Sequence, residues 1–170
     1  MGSNRLDFAE FYREVKDECL FTVLVSVGDR DTAQDLLDEA FARAWASWRT
    51  VSRHPAPAAW VVRTALNAGV SRWRRRRREV PVPDLALVAD RPVAGGGAGG
   101  SVDPGIMAAL LRLPARQRQV VALRLVLDLD TARTAQVLGI APGTVQAHLG
   151  RAIAALRDDL IPTRHQENPS

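Results

Sequence analysis

Half of residues 79–104 of this chain are proline, alanine or glycine, with the run Gly95-Gly96-Gly97-Ala98-Gly99-Gly100 and no amphipathic period anywhere. Such a stretch has no apolar face to offer a core, so it divides the chain into two pieces that must each fold. A flexible tether of that length reaches on the order of 25 to 30 Å between its ends, more when stretched, enough to join two domains on separated sites. The pieces on either side are both periodic, and the period is helical.

Before the tether, Phe8, Phe11, Tyr12, Val15, Cys19, Leu20, Val23, Leu24 and Val27 form one stripe of an amphipathic helix. Gly28-Asp29-Arg30-Asp31 stops it, and Asp29 or Asp31 stands as the N-cap of a second helix carrying Ala33, Leu36, Leu37, Ala40, Phe41, Ala44, Trp45 and Trp48 inward. Trp45 and Trp48 read as core anchors, because an indole buries a large area. Arg49 to Pro57 reads as a loop, and Pro57 opens a third helix through Trp60, Val61, Ala65, Leu66 and Val70 that ends in Arg72-Trp73-Arg74-Arg75-Arg76-Arg77-Arg78. Such an arginine run repels itself unless anions lie nearby.

After the tether, Ile106, Leu110 and Leu113 precede a break at Pro114, and Val120, Val121, Leu123 and Leu127 follow it. Asp130 is placed to cap a short helix over Thr131 to Leu138. Gly139-Ile140-Ala141 then turns the chain into a long helix from Pro142 to Leu160, with Val145, Leu149, Ala152, Ile153, Leu156 and Leu160 inward. A short helix, a glycine turn and a longer helix predict a helix-turn-helix.

With 46% hydrophobic residues the chain is folded rather than disordered. Lys16 is the sole lysine among 23 basic residues, and the charge of +4 favours a polyanion, with nucleic acid ahead of an anionic membrane surface. Cys19 is alone, which excludes an intrachain disulfide and fits a reducing cytosol; its expected role is a small buried side chain. The longest apolar stretch, Cys19 to Val27, is far short of the roughly 20 residues a membrane span needs. The N-terminus lacks the pattern of a secretory signal, so the expected location is cytoplasmic. His54, His148 and His165 are scattered and form no triad or metal spacing, so neither catalytic residues, metal nor cofactor is predicted.

The first piece resembles region 2 of group 4, or extracytoplasmic-function, sigma-70 factors. The resemblance rests on Asp31-Thr-Ala-Gln-Asp-Leu-Leu-Asp-Glu-Ala-Phe-Ala-Arg-Ala-Trp45, on Pro57-Ala-Ala-Trp60-Val-Val-Arg-Thr-Ala-Leu-Asn67, and on the arginine run. The second piece resembles region 4 through Leu113-Pro-Ala-Arg-Gln-Arg-Gln-Val-Val-Ala-Leu-Arg124, Ala135-Gln-Val-Leu-Gly-Ile-Ala-Pro-Gly-Thr-Val145, Arg151-Ala152 and Leu156-Arg157. The implied architecture is all-α: two small helical domains, region 2 at 5–78 and region 4 at 105–161, joined by a flexible Gly/Pro/Ala-rich linker at 79–104. The implied partners are core RNA polymerase and promoter DNA, and the tether is compatible with an anti-sigma partner covering both domains. No membrane and no small-molecule substrate is implied.

Carried over by position, Asp35, Asp38, Glu39 and Arg43 face polymerase, although the family commonly has glutamine where this chain has Asp38. Melting a −10 element needs cations for phosphate and a surface for an unstacked base. Arg53, His54, Arg63, Asn67, Arg72 and Arg74 are the candidates, with Arg74 to Arg78 as an electrostatic track. Asn67 reads equally as a buried amide tying its helix to a neighbour. For a −35 element the outward positions are Thr144, Gln146, Ala147, His148, Gly150 and Arg151. Gln146 suits adenine and Arg151 phosphate or guanine. Ala147 and Gly150 allow only close approach, and Ala141 stands where a capping serine is common, so this helix has a thin reading surface.

Three rivals compete with that reading. A stand-alone helix-turn-helix regulator leaves the first piece unexplained, an enzyme lacks a catalytic constellation, and a DNA-coating protein does not need the Gly139 turn.

Overall fold

The computed structural model describes residues 3–79 and 102–161, so the expected linker lies largely outside the described residues. Every regular element among them is helical. In order these are α1 (Ser3–Val27), α2 (Arg30–Ala46), α3 (Trp48–Val51), α4 (Pro57–Glu79), α5 (Pro104–Arg112), α6 (Ala115–Val121), a π-helical turn (Ala122–Val126), α7 (Thr131–Leu138) and α8 (Pro142–Leu160).

Gly28 reverses the chain at φ +78°, a backbone angle natural to glycine, and its N–H closes on the Leu24 carbonyl at 2.7 Å. Asp29 is the N-cap of α2: its carboxylate accepts the Thr32 N–H at 2.9 Å and the Thr32 hydroxyl at 2.5 Å. The segment expected as a loop after Trp48 contains a helical turn, α3. Trp48 and Val51, three residues apart, are both buried and pull that turn onto the core. Trp48 is the anchor expected of it, but Trp45 is 41% exposed and meets Phe8 edge-on at 5.0 Å on the rim. Val70, expected inward, is also exposed.

In the second piece, Asp103 caps α5 through the Gly105 N–H at 2.7 Å, with Pro104 at the first helical position. Asp130 caps α7 through the Arg133 N–H at 2.7 Å. Gly139 ends α7 in the left-handed conformation, φ +65°, and α8 begins at Pro142, completing the helix-turn-helix. The inward stripe of α8 is narrower than its period suggests. Val145 and Ala152 are buried and Leu149 and Leu156 half-buried, while Ile153 and Leu160 are exposed, as is Ile106 on α5.

The two pieces do not keep separate cores. Leu123, Leu129 and Val137 belong to the same buried cluster as Cys19, Leu36 and Val62 of the first piece. Conversely, Val25 and the half-buried Phe21 of α1 pack with Leu110, Leu113, Val121 and Ala152. Helix α1 is therefore covered on opposite sides, which is why every residue from Thr22 to Ser26 is buried. Thr22 and Ser26 are tolerated there because their hydroxyls donate to the carbonyls of Glu18 and Thr22, each at 2.7 Å, within their own helix.

Candidate functional site

Helix α2 buries Ala33, Leu36, Leu37 and Ala40 and turns its acidic side outward. Asp35, Asp38 and Arg43 are exposed, and Glu39 is half-buried. Asp38 accepts from the Gln34 side chain at 2.8 Å, one turn back. Glu39 is a junction: Arg43 donates to one carboxylate oxygen at 2.5 Å and Arg72 of α4 to the other at 2.8 Å. The four expected residues thus share one face, and Glu39 also staples α2 to α4.

That staple corrects the expectation for Arg72. Its guanidinium is turned back onto Glu39 instead of standing free for phosphate. Arg63, Asn67 and Arg74 are exposed, and helical spacing of four and eleven residues sets them on one side of α4 together with Val70. The exposure of Val70 is thereby explained, since it belongs to this outward stripe and not to the core. Asn67 is exposed as well, so it does not act as a buried tie. Arg53 and His54 are exposed in the turn leading into α4, where the His54 Nδ1 accepts the Ala56 N–H at 3.0 Å and fixes the bend.

On α8, Thr144, Gln146, Ala147, Gly150 and Arg151 are exposed as expected. His148 is not fully outward: three positions from Val145 and four from Ala152, it sits on the shoulder of the buried stripe, half-covered, with an unpartnered buried Nδ1. Ala141 contributes no side-chain cap. A Cβ added at Gly143 or Gly150 would meet no atom within 4 Å, so no close packing requires the missing side chains there.

Two arginines missed by the sequence reading organise the second piece. Arg118 is buried and donates to the carbonyls of Leu111 at 3.0 Å and Leu113 at 3.4 Å, and burial pushes its pKa below the usual arginine value. Arg124 donates to the Leu129 carbonyl and closes the loop in which Asp128 holds φ +48°. A third, Arg133 of α7, was missed with its neighbour Gln136; both line a crevice of about 100 Å³ opposite His54, Trp60 and Arg63. An arginine beside an apolar run is the only sign the sequence offers for Arg118, and nothing local marks Arg133. Among the described residues, no histidine, cysteine and carboxylate group could hold a metal, and no helix is long and apolar enough to cross a membrane.

Family models described as Sigma-70 region 2 and Sigma-70, region 4 match residues 10–79 and 105–156. The RNA polymerase sigma-E factor of Streptomyces coelicolor is 34% identical over 157 residues, covering 92% of this chain and 87% of that protein. The ECF RNA polymerase sigma factor SigM of Mycobacterium tuberculosis is 32% identical over 160 residues, covering 92% and 78%. The chain belongs to the extracytoplasmic-function sigma-70 factors. Region 2 of this sigma factor is built from α1–α4, and region 4 from α5–α8, whose helix-turn-helix is α7 and α8. The sigma factor RpoE, solved in complex with the anti-sigma factor NepR from Bartonella quintana, matches with a TM-score of 0.76 at 25% identity. That match covers 93% of this chain and 99% of RpoE, so both regions superpose together.

Proposed function

We propose that this sigma factor mounts on core RNA polymerase through the outward face of α2 and places α4 and α8 on two separated promoter elements. Asp35, Asp38, Glu39 and Arg43 meet polymerase. Arg53, His54, Arg63, Asn67 and Arg74 engage the −10 element as its strands part, and Thr144, Gln146, Ala147 and Arg151 approach the −35 element in the major groove. The observation that carries this reading is the α4 stripe, where two cations, an amide and the apolar Val70 share one exposed side. An unstacked base needs such a surface, with charge for its phosphates and an apolar or amide group for its face and edge. Working domains of 5–78 and 105–161, with 79–104 between them, are supported by the end of α4 at Glu79 and the start of α5 at Pro104.

As a transcription initiation factor the chain works within polymerase, without catalysis of its own, in the cytoplasm and under the control of an anti-sigma partner. The test is run-off transcription with purified core enzyme and a promoter selected from genomic fragments. Wild-type protein starts transcripts at defined sites. The double variant Arg63→Ala/Asn67→Ala keeps its affinity for core but loses permanganate reactivity of the melted strand by tenfold or more. Unchanged melting removes the stripe from the mechanism, and absence of any specific start overturns the whole reading.

A further inference from the structure

The crevice between α7 and the start of α4 gathers positive charge with no negative charge to answer it. Arg133 and Gln136 of α7 line it together with His54 and Arg63, around a space of about 100 Å³ with Trp60 and Val137 as apolar walls. No carboxylate is among the lining residues. The ion pairs among the described residues lie elsewhere, at Glu39 with Arg43 and Arg72 and at Arg112 with Asp159. Neither the Arg63 nor the Arg133 guanidinium has a partner among the described residues. Asp130, three residues before Arg133, has its carboxylate committed to the backbone N–H that it caps. The His54 Nδ1 is committed as well, to the Ala56 N–H at 3.0 Å, so in the neutral ring Nε2 carries the proton and is the donor left over.

We infer that this crevice is a binding site for a pyrophosphoryl group, free or at the end of a nucleotide. Two guanidiniums, an imidazole N–H and a carboxamide are donors suited to phosphate oxygens, and a guanidinium meets such oxygens in pairs. Cations brought together from separate segments of the chain repel each other unless an anion lies between them. The apolar walls strengthen that attraction by lowering the local dielectric. Size sets the class of ligand. Sites that enclose a drug-sized molecule hold roughly 300–1,000 Å³. A crevice of about 100 Å³ admits the phosphorylated end and leaves any sugar and base outside. A ligand with two phosphorus centres serves α4 and α7 at once, which a single phosphate does less well. Arg63 and His54 also stand in the −10 set proposed above. The anion site needs neither polymerase nor promoter, so it can fail without touching that assignment and can survive its loss.

The site is tested by isothermal titration calorimetry of the full-length protein with inorganic pyrophosphate, at about 0.1 M salt, where exposed charges more than roughly 10 Å apart are largely screened. One pyrophosphate binds per chain with a Kd below about 1 mM, the strength of two or three charge-assisted contacts. Arg63→Ala and Arg133→Ala each weaken binding by about tenfold or more. Both side chains are exposed, so neither change removes a buried contact of the fold. Arg133→Lys keeps the charge without the paired donors and recovers only part of the loss. The double variant Arg75→Ala/Arg76→Ala, in the exposed arginine run, leaves the affinity unchanged. Inorganic phosphate binds more weakly than pyrophosphate.

A nucleoside diphosphate that binds more tightly through the same two arginines makes a nucleotide the source, and equal affinity makes it the free anion; both uphold the site. Absence of one-to-one binding overturns it, as does affinity that survives both arginine substitutions. Loss of binding in the Arg75→Ala/Arg76→Ala variant shows a general attraction to the arginine run and overturns it too. An Arg133-dependent site that takes a single-stranded oligonucleotide and refuses pyrophosphate gives the crevice to the promoter and ends the proposal.

Discussion

Helix α4 presents Arg63, Asn67, Val70 and Arg74 along one side and continues into further arginines, while its other side is held by the largest buried cluster among the described residues. Helix α8 presents Gln146, Ala147, Gly150 and Arg151, starts without a side-chain cap, and rests on a narrow buried seam of Val145 and Ala152. Both helices suit DNA, yet one is rich in charge and firmly seated and the other is sparse and lightly anchored. Promoter affinity should therefore reside mainly in region 2, with α8 adding modest discrimination upstream. The pattern also separates two ways of using a helix: as a charged track along a backbone, or as a thin probe of base edges.

The strongest attempt to break this contrast is the combined replacement of Arg74, Arg75, Arg76 and Arg78 by alanine. Four phosphate contacts at roughly 0.7 to 0.9 each predict that the slope of log affinity against log salt shrinks by about 3. Promoter binding by the reconstituted holoenzyme between 50 and 200 mM salt measures it, and an unchanged slope would show that the track touches no phosphate. A smaller effect is expected from Gln146→Ala, which should relax preference at one upstream base pair by about fivefold, or about 1 kcal/mol. Selection of promoters from a randomised upstream pool reads this out; if this single change outweighs the arginine cluster, the ranking of the two helices is wrong. The smallest effect sharpens the comparison. Ala141 already has extended backbone angles, φ −70° and ψ 148°. Ala141→Ser should add the missing cap, raise stability by roughly 0.5 to 1 kcal/mol and lift Tm by about 1–4 °C in a thermal melt. No rise would mean that the start of α8 is already satisfied by other means.

The helices themselves were legible in the sequence because each carries its own period and its own punctuation. Asp29, Asp130 and Gly139 end or begin elements where local chemistry alone demands it. The short turn at Trp48–Val51 was not legible, since a single buried pair in four residues makes no periodic signal. The exposed face of α4 was partly legible: Arg63, Asn67 and Arg74 were found by resemblance, but Val70 looked like core until its neighbours on the outward side were known. Arg72 looked like another free cation because its partner, Glu39, lies 33 residues away. The joining of the two regions was hidden for the same reason. The period of α1 showed one stripe, and the second contact side, Phe21 and Val25, finds its partners more than 80 residues downstream. Long-range pairing leaves no local trace, so Arg133 and Gln136 could not be placed beside His54 before the fold was known.

The self-contained hydrogen bonds of Thr22 and Ser26 leave the middle of α1 indifferent to the chemistry of whatever packs against it. Neither hydroxyl depends on the opposing surface for a partner. A helix whose buried hydroxyls are satisfied internally can be wrapped on all sides by apolar neighbours without stranding a donor.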